Sequence, residues 1–146
     1  MDKMVKESKN YIRLFDQQIS LYEHYARKNG LQGKSLQLLL WLYYNPNGIT
    51  QSFLVEKTLS TKQVVNATVK SWLSKGFVTF QISPEDKRKK VIKLTHQGFE
   101  FAKSILKPLE QAEGNAQAFL KEQERKTLIK LVDKYTQALV TELEKI

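Results

Sequence analysis

The chain has no cysteine, only three prolines and no long apolar run among its 146 residues. The absence of cysteine excludes disulfides, thiol redox sensing and zinc–thiolate sites, and it is compatible with the cytoplasm. No run of 18 apolar residues occurs, and the first residues lack the apolar core of a signal peptide. We therefore expect a soluble, cytoplasmic protein, one domain in size, with no membrane partner.

Motifs that carry catalysis are also missing. The chain has no glycine-rich phosphate loop and no nucleophile elbow, and its acids Glu85 and Asp86 lie beside four consecutive cations, a poor setting for acid–base catalysis. His24 and His96 are far apart in the sequence and have no carboxylate cluster beside them. We therefore expect no enzyme activity, no catalytic residue, no metal and no cofactor.

Positive charge is concentrated in the middle of the chain. Of the net charge of +9, residues 31–98 contribute +7, from ten Lys or Arg against three Asp or Glu, whereas residues 1–30 contribute +2 and residues 99–146 contribute nothing. A membrane-surface helix is the competing use of basic charge, but part of this charge lies in a predicted hairpin. The distribution therefore favours a nucleic-acid partner.

The segment from Ser60 to Lys75 predicts a helix with two different faces. We expect Ser60 to be its N-cap, Gln63 to complete a capping box and Gly76 to end it. The apolar stripe predicted to face the core comprises Val65, Val69, Trp72 and Leu73. Side chains that suit base edges and phosphates make up the candidate DNA-contacting set: Ser60, Thr61, Lys62, Gln63, Asn66, Ala67 and Lys70. An ordinary solvated helix face is the alternative.

The next segment predicts a β-hairpin with a basic tip. Phe77 to Ile82 and Val91 to Leu94 have strand composition, and residues 83–86 have turn composition. The cations of the tip repel one another, and a DNA backbone or minor groove would relieve this repulsion. Asp86 lies two residues before Arg88, a spacing that lets its carboxylate hold the guanidinium. The candidate DNA contacts of this wing are Asp86, Lys87, Arg88, Lys89 and Lys90. A solvated loop is again the alternative.

Apolar spacing predicts helices on both sides of this region. The predicted helices are Tyr11–Lys28, a buried central helix at Ser35–Tyr44, a short helix from its cap Thr50 to Lys57, a helix capped by Thr95 with a bend at Pro108, and a last helix from about Lys121 to Ile146. Residues 112–117 are expected to be a connection. The short helix and the Ser60 helix together form a helix-turn-helix.

The predicted fold class is therefore mostly α with a small β-hairpin wing (α+β). We expect a single domain, 1–146, with a winged helix-turn-helix lobe at 31–98 and dimerisation helices at 1–30 and 99–146. The apolar stripes of the terminal helices need partners, and a two-fold homodimer would supply them and place two recognition helices on a pseudo-palindromic site. In the alternative, these helices fold back on their own subunit.

Several motifs resemble those of the MarR family of winged-helix transcriptional regulators. They are Leu59-Ser60, Lys75-Gly76-Phe77-Val78, and Pro84-Glu85-Asp86-Lys87-Arg88 followed by Leu94-Thr95 and Gly98. The order of elements is similar over essentially the whole chain. The resemblance implies an obligate dimer joined through its terminal helices, with Ser60–Lys75 in the major groove and Arg88 in the minor groove. It also implies repression as the commoner mode of action.

The sequence departs from the family pattern at two places that bear on DNA contacts. Thr79-Phe80 replaces an acid and an arginine, so any contact of that arginine is expected to be absent or to be supplied by Lys87 to Lys90. Ala67 replaces a common arginine, so base contacts are expected from Gln63, Asn66 and Lys70. Family members often bind small aromatic or lipophilic effectors in a crevice between the dimer helices and the DNA-binding lobe. The side chains that could line it here are Phe15, Tyr22, Tyr25, Trp41 and Tyr44, although aromatic residues at helical spacing are also common in cores.

The function predicted from these features is sequence-specific binding of double-stranded DNA. We expect a transcriptional regulator that binds a pseudo-palindromic operator as a homodimer and acts as a ligand-responsive repressor. Two alternatives remain: a winged-helix module that docks proteins through its basic hairpin, and an architectural protein that binds DNA without sequence preference. Gln63 and Asn66 discriminate between them, because base recognition needs these side chains and nonspecific coating does not.

Overall fold

The computed structural model describes residues 2–146, in which six helices and one two-stranded antiparallel sheet are formed. In chain order they are α1 (Lys3–Lys28), α2 (Gly33–Tyr43), α3 (Gln51–Thr58), α4 (Lys62–Ser74), β1 (Val78–Ile82), β2 (Lys90–Leu94), α5 (His96–Gln117) and α6 (Glu122–Glu144). This order confirms the predicted fold class of a mostly α protein with a β-hairpin wing. Across the described residues, no helix is both long and apolar enough to span a membrane.

The core of the winged-helix region forms around α2. This helix is apolar nearly all round, and its Leu38, Leu39 and Leu42 are almost completely buried. Leu54 of α3 and the stripe of α4 are buried with it. Burial of the stripe determines the rotation of α4 about its own axis, and so determines which of its residues face outward.

The turns that separate these helices follow from local sequence. Gly30 and Gly76 adopt φ values of +75° and +76° directly after α1 and α4, a conformation that glycine adopts without a steric penalty. Thr50 caps α3 by accepting a hydrogen bond from the N–H of Phe53 at 3.1 Å. Leu59 lies in the turn between α3 and α4 with a left-handed φ of 51°, the one such non-glycine residue among residues 2–146.

The hairpin is attached to the helical core at its base. Ile82 pairs with Lys90 near the tip, and Val78 pairs with Leu94 at the base. Ile49 and Ile92 exchange two backbone hydrogen bonds of 3.0 and 2.7 Å, which join β2 to the segment before α3. Thr95 accepts a bond from the N–H of Gly98 at 3.0 Å, as its predicted capping role requires, and donates one to the carbonyl of Gly76 at 2.6 Å.

The chain divides into two compact units, residues 1–106 and residues 107–146. The first unit contains α1 to α4, the hairpin and the start of α5. The second contains the rest of α5 and all of α6. The single domain with a lobe at 31–98 and dimerisation helices at 1–30 and 99–146 stays a prediction.

Five details of the predicted helices are wrong. The N-cap of α4 is Thr61 and not Ser60, so the capping box with Gln63 is absent, and Leu73 is exposed and does not belong to the buried stripe. Helix α1 begins at Lys3, where Asp2 caps it, and not at Tyr11. Residues 112–117 are helical, because α5 continues through Pro108 to Gln117. Phe15, Ile19, Tyr22 and Ala26 have the three- and four-residue spacing that predicts one buried stripe on α1. In the single chain only Ala26 is buried, whereas Phe15, Ile19 and Tyr22 are exposed.

Candidate nucleic-acid interface

The outer face of α4 presents most of the predicted DNA-contacting residues. Ala67 follows Val65 by two residues, which is about 200° around an α-helix, so it lies opposite the buried stripe. The exposed members of the predicted set are Thr61, Lys62, Gln63, Asn66, Ala67 and Lys70. Polar side chains therefore lie near Ala67 on a surface that no other described residue covers. This arrangement has the donors and acceptors needed to contact base edges.

Ser60 and Thr61 differ in their surroundings at the start of α4. The hydroxyl of Thr61 accepts a hydrogen bond from the N–H of Val64 at 3.2 Å. The Ser60 side chain is half-buried, and its hydroxyl oxygen is buried without a hydrogen-bond partner in the described chain. Thr61 therefore orders the first turn of α4, and Ser60 does not.

Lys34 fixes the turn of the helix-turn-helix, a role that was not predicted from the sequence. Its ammonium donates to the carbonyl of Thr58, the last residue of α3, at 2.8 Å. A cation at this end also interacts favourably with the helix dipole. Lys34 lies in the first turn of α2, and no feature of the local sequence indicated its contact with Thr58.

The wing holds Arg88 through Asp86, as the spacing predicted. A single carboxylate oxygen of Asp86 accepts bonds from the backbone N–H of Arg88 at 3.0 Å and from its Nε at 3.3 Å. The backbone hydrogen bond from Arg88 and then its side-chain bond lower the pKa of Asp86 below its ordinary value. Desolvation opposes them, and the charge of Lys89 adds a smaller lowering. The Arg88 side chain is 91% exposed. Its terminal nitrogens can therefore contact a phosphate or a minor groove.

The other cations of the wing are exposed around this pair. Lys87, Lys89 and Lys90 all face solvent. The ammonium of Lys90 lies 5.9 Å from the ring centre of Phe80, which is a cation–π distance. Phe80, where the family usually has an arginine, therefore places an aromatic ring beside a cation of the wing.

The five aromatic residues of the predicted effector crevice take part in separate local contacts. Phe15 stacks on Tyr11 at 6.4 Å, Trp41 packs edge-on against Phe53 at 5.5 Å, and Tyr44 packs edge-on against Tyr43 at 5.3 Å. The Tyr25 hydroxyl donates to the carbonyl of Ile105 in α5, and Tyr22 lies exposed on α1. The effector crevice stays a prediction.

A groove of about 410 Å³ lies elsewhere, between the wing and the start of α3. Gly48 and Phe53 line one side, and Gln81, Lys89 and Lys93 line the other. None of the five predicted crevice residues lines this groove.

Among residues 2–146, no group of three or more His, Cys, Asp or Glu residues is close enough to hold a metal ion.

Similarity to known proteins agrees with this architecture. Residues 29–89 match the model of the MarR family. The uncharacterised HTH-type transcriptional regulator YdgJ of Bacillus subtilis (strain 168) is 34% identical over 100 residues, which cover 68% of this chain. The matched stretch spans 60% of the length of that relative.

Solved structures share the fold. NMB1585, a MarR family regulator from Neisseria meningitidis, superposes with a TM-score of 0.78 at 18% identity and covers 99% of both chains. MepR of S. aureus, solved as a complex with DNA, gives a TM-score of 0.75 at 16% identity over 94% of this chain and 99% of its own. These similarities confirm the winged-helix fold and the resemblance to MarR regulators.

Proposed function

We propose that this chain, whose residues 29–89 match the MarR family model, is a transcriptional regulator that binds double-stranded DNA sequence-specifically. The observation that carries the proposal is that two candidate DNA-contacting elements belong to one compact unit. The exposed polar face of α4 and the wing with its Asp86-held Arg88 belong to the same compact unit, which also holds most of the positive charge. Base recognition and phosphate neutralisation are thus available together.

In the proposed complex, α4 lies in the major groove. Gln63 and Asn66 have the amide groups that bond adenine bidentately, and Lys70 reaches guanine or a phosphate. The wing extends to the minor groove, where Arg88 enters and its neighbouring lysines neutralise phosphates.

We further propose that the functional protein is a homodimer. Apolar side chains are exposed along α1 and α6, and α6 has no buried residue at all. A second copy with the same exposed helices would cover them. Two copies related by a two-fold axis would place two recognition helices on a pseudo-palindromic operator.

We also propose that the protein is a cytoplasmic repressor that responds to a small ligand. A bound dimer would block promoter access until a small aromatic or lipophilic effector changed the spacing of its recognition helices. Tyr25, one of the proposed crevice residues, links α1 to α5 through its hydrogen bond to the carbonyl of Ile105. An effector that displaced the Tyr25 hydroxyl would therefore alter how α1 and the start of α5 are held together.

Selection from a random duplex library tests the DNA-binding proposal. The selected duplex and a scrambled duplex of the same composition are then compared by fluorescence anisotropy across salt concentrations. We expect an inverted repeat with half-sites about one helical turn apart, bound at least about 10³-fold more tightly than the scrambled duplex. Binding without preference would support an architectural role, and no binding at low salt would support a protein-docking module.

A further inference from the structure

The exposed face of α4 contains an apolar residue that the polar recognition pattern does not explain. Val64 is 45% exposed, although it belongs to the first turn of a helix whose apolar stripe is buried elsewhere. A single exposed valine is ordinary on a protein surface. This one, however, lies within the surface proposed to contact base pairs.

Val64 and Ala67 form a continuous apolar patch. Residues three apart on a helix have neighbouring Cβ atoms, about 5–6 Å from each other. Both are exposed, and neither can donate or accept a side-chain hydrogen bond. We name these two residues the Val64–Ala67 patch.

Hydrogen bonds on both sides hold the patch in place. The N–H of Val64 is bonded to the hydroxyl of Thr61, and its carbonyl accepts a bond from the hydroxyl of Thr68 at 3.0 Å. Valine in a helix also has one strongly preferred χ1 rotamer. The methyl groups of Val64 are therefore positioned before any DNA binds.

The one methyl group on the base edges of the major groove is the C5-methyl of thymine, and it offers more apolar surface than any other group there. An apolar side chain pressed against a donor or acceptor would remove its water without replacing its hydrogen bond. We propose that the Val64–Ala67 patch contacts thymine methyl groups, so that each half-site of the preferred duplex has thymine opposite it. This inference rests on the proposed function and adds the identity of a base to it.

Deoxyuridine substitution tests the inference, because it removes the methyl group and leaves every hydrogen-bonding atom of thymine. Each thymine of the selected duplex is replaced in turn, at the matching positions of both half-sites. We expect one or two positions to weaken binding about four-fold per methyl group, or roughly 15-fold per symmetric pair, and the other thymines to be insensitive. If every deoxyuridine duplex binds as tightly as its parent, the inference is wrong although the proposed function stands.

Two protein variants test whether the Val64–Ala67 patch contacts the thymine at the sensitive position of the duplex. Val64→Ala should bind the parent duplex several-fold more weakly and should lose most of its sensitivity to deoxyuridine at that position. Leu73→Ala is the control, because Leu73 is similarly exposed, at 43%, but lies at the far end of the same helix. It should keep the full deoxyuridine effect.

Three results would count against the inference. A Val64→Ala protein that stays fully sensitive to deoxyuridine would overturn it, as would a Leu73→Ala protein that loses the same sensitivity. Val64 is exposed, so equal melting temperatures for both variants and the parent are expected and would exclude misfolding. A protein that selects no duplex at all would overturn the proposed function, and the inference with it.

Discussion

At the scale of single residues, the contact between Asp86 and Arg88 determines how the wing presents its arginine. Two hydrogen bonds from Arg88 lower the pKa of Asp86, and the backbone bond has the larger effect. Arg88→Ala removes only the side-chain bond, so we expect the pKa of Asp86 to rise, while the backbone hydrogen bond still lowers it. A carboxyl-carbon NMR titration measures it, and an unchanged pKa would contradict the role of the guanidinium.

The direction of the pKa shift of Asp86 also predicts the pH range over which its contact with Arg88 stabilises the wing. Because the folded protein lowers the pKa of Asp86, the carboxylate stays charged at neutral pH, and the contact contributes there in full. It should be lost only in acid, as the pH falls through the lowered pKa.

Asn66 and Arg88 should affect DNA binding differently. Asn66→Ala removes an amide from the face of α4, so it should cost about 1–3 kcal/mol on the selected duplex and little on a scrambled one. Arg88→Ala is the comparison, and it should weaken binding to both duplexes and reduce the salt slope by about one. Fluorescence anisotropy measures both variants. Equal losses from Asn66→Ala on every duplex would argue against base recognition.

At the scale of the element, the start of α4 has two neighbouring hydroxyl residues with different roles: Thr61 caps the helix and Ser60 does not. Thr61→Ala removes the acceptor for the N–H of Val64 and should lower the free energy of unfolding by about 1 kcal/mol. Ser60→Ala removes a buried hydroxyl that has no partner and should leave that free energy unchanged or slightly higher. Urea unfolding of both variants measures the difference. A larger loss from Ser60→Ala would instead support the cap predicted from the sequence.

The two glycines within α5 should respond to alanine in opposite directions. A Cβ at Gly98 would lie 1.8 Å from the carbonyl oxygen of Phe77, so Gly98→Ala should destabilise the protein by at least about 3 kcal/mol. A Cβ at Gly114 would meet nothing within 4 Å, so Gly114→Ala should stabilise it by about 0.5–1 kcal/mol. Thermal and urea unfolding test both changes. A tolerated Gly98→Ala would show that the base of the wing can move away from α5.

The elements were predictable wherever periodicity and turn chemistry agreed, as in α2, the hairpin and the glycine after α4. The errors arose where two neighbouring residues have a similar propensity for the N-cap, or where packing and not local sequence determines where a helix begins or ends. Ser60 and Thr61 are both good N-caps, and only the backbone geometry selects between them. Residues 3–10 have no clear apolar stripe, so periodicity did not detect the first two turns of α1.

The candidate site was predicted in part. The positions on α4 and the Asp86–Arg88 contact follow from helical spacing and short sequence separation, and the structure places them as expected. Lys34 contacts Thr58 across 24 positions of sequence, and such a separation has no periodic signal. Val64 was overlooked because an apolar residue in a helix is ordinarily assigned to the core.

At the scale of the whole molecule, charge and apolar surface are divided between different segments. Residues 31–98 hold most of the positive charge, whereas residues 99–146 are neutral overall and expose apolar side chains on α6. Neutral segments with exposed apolar stripes suit association with another protein surface, and basic segments suit DNA. This division therefore supports the proposal that the terminal helices bind a second copy of the chain and that the lobe at 31–98 binds DNA.

The mass of the protein in solution tests the proposed dimer. Sedimentation at micromolar concentration should give twice the subunit mass of 17.0 kDa. Leu139 lies on the apolar stripe of α6 and is exposed in the single chain, so Leu139→Asp would bury a charge in the dimer and should produce monomers. Those monomers should bind the inverted repeat no more tightly than a single half-site, because the second recognition helix is no longer linked to the first.

Lys134→Asp provides the matched control, because Lys134 is exposed on the other side of α6. It introduces the same side chain into the same helix and should leave the dimer and its DNA affinity intact. If Leu139→Asp sediments as a dimer while Lys134→Asp dissociates, a different face of α6 forms the interface. If the unmodified protein is a monomer at micromolar concentration, the two-fold arrangement is wrong, and the inverted repeat expected from duplex selection loses its structural basis.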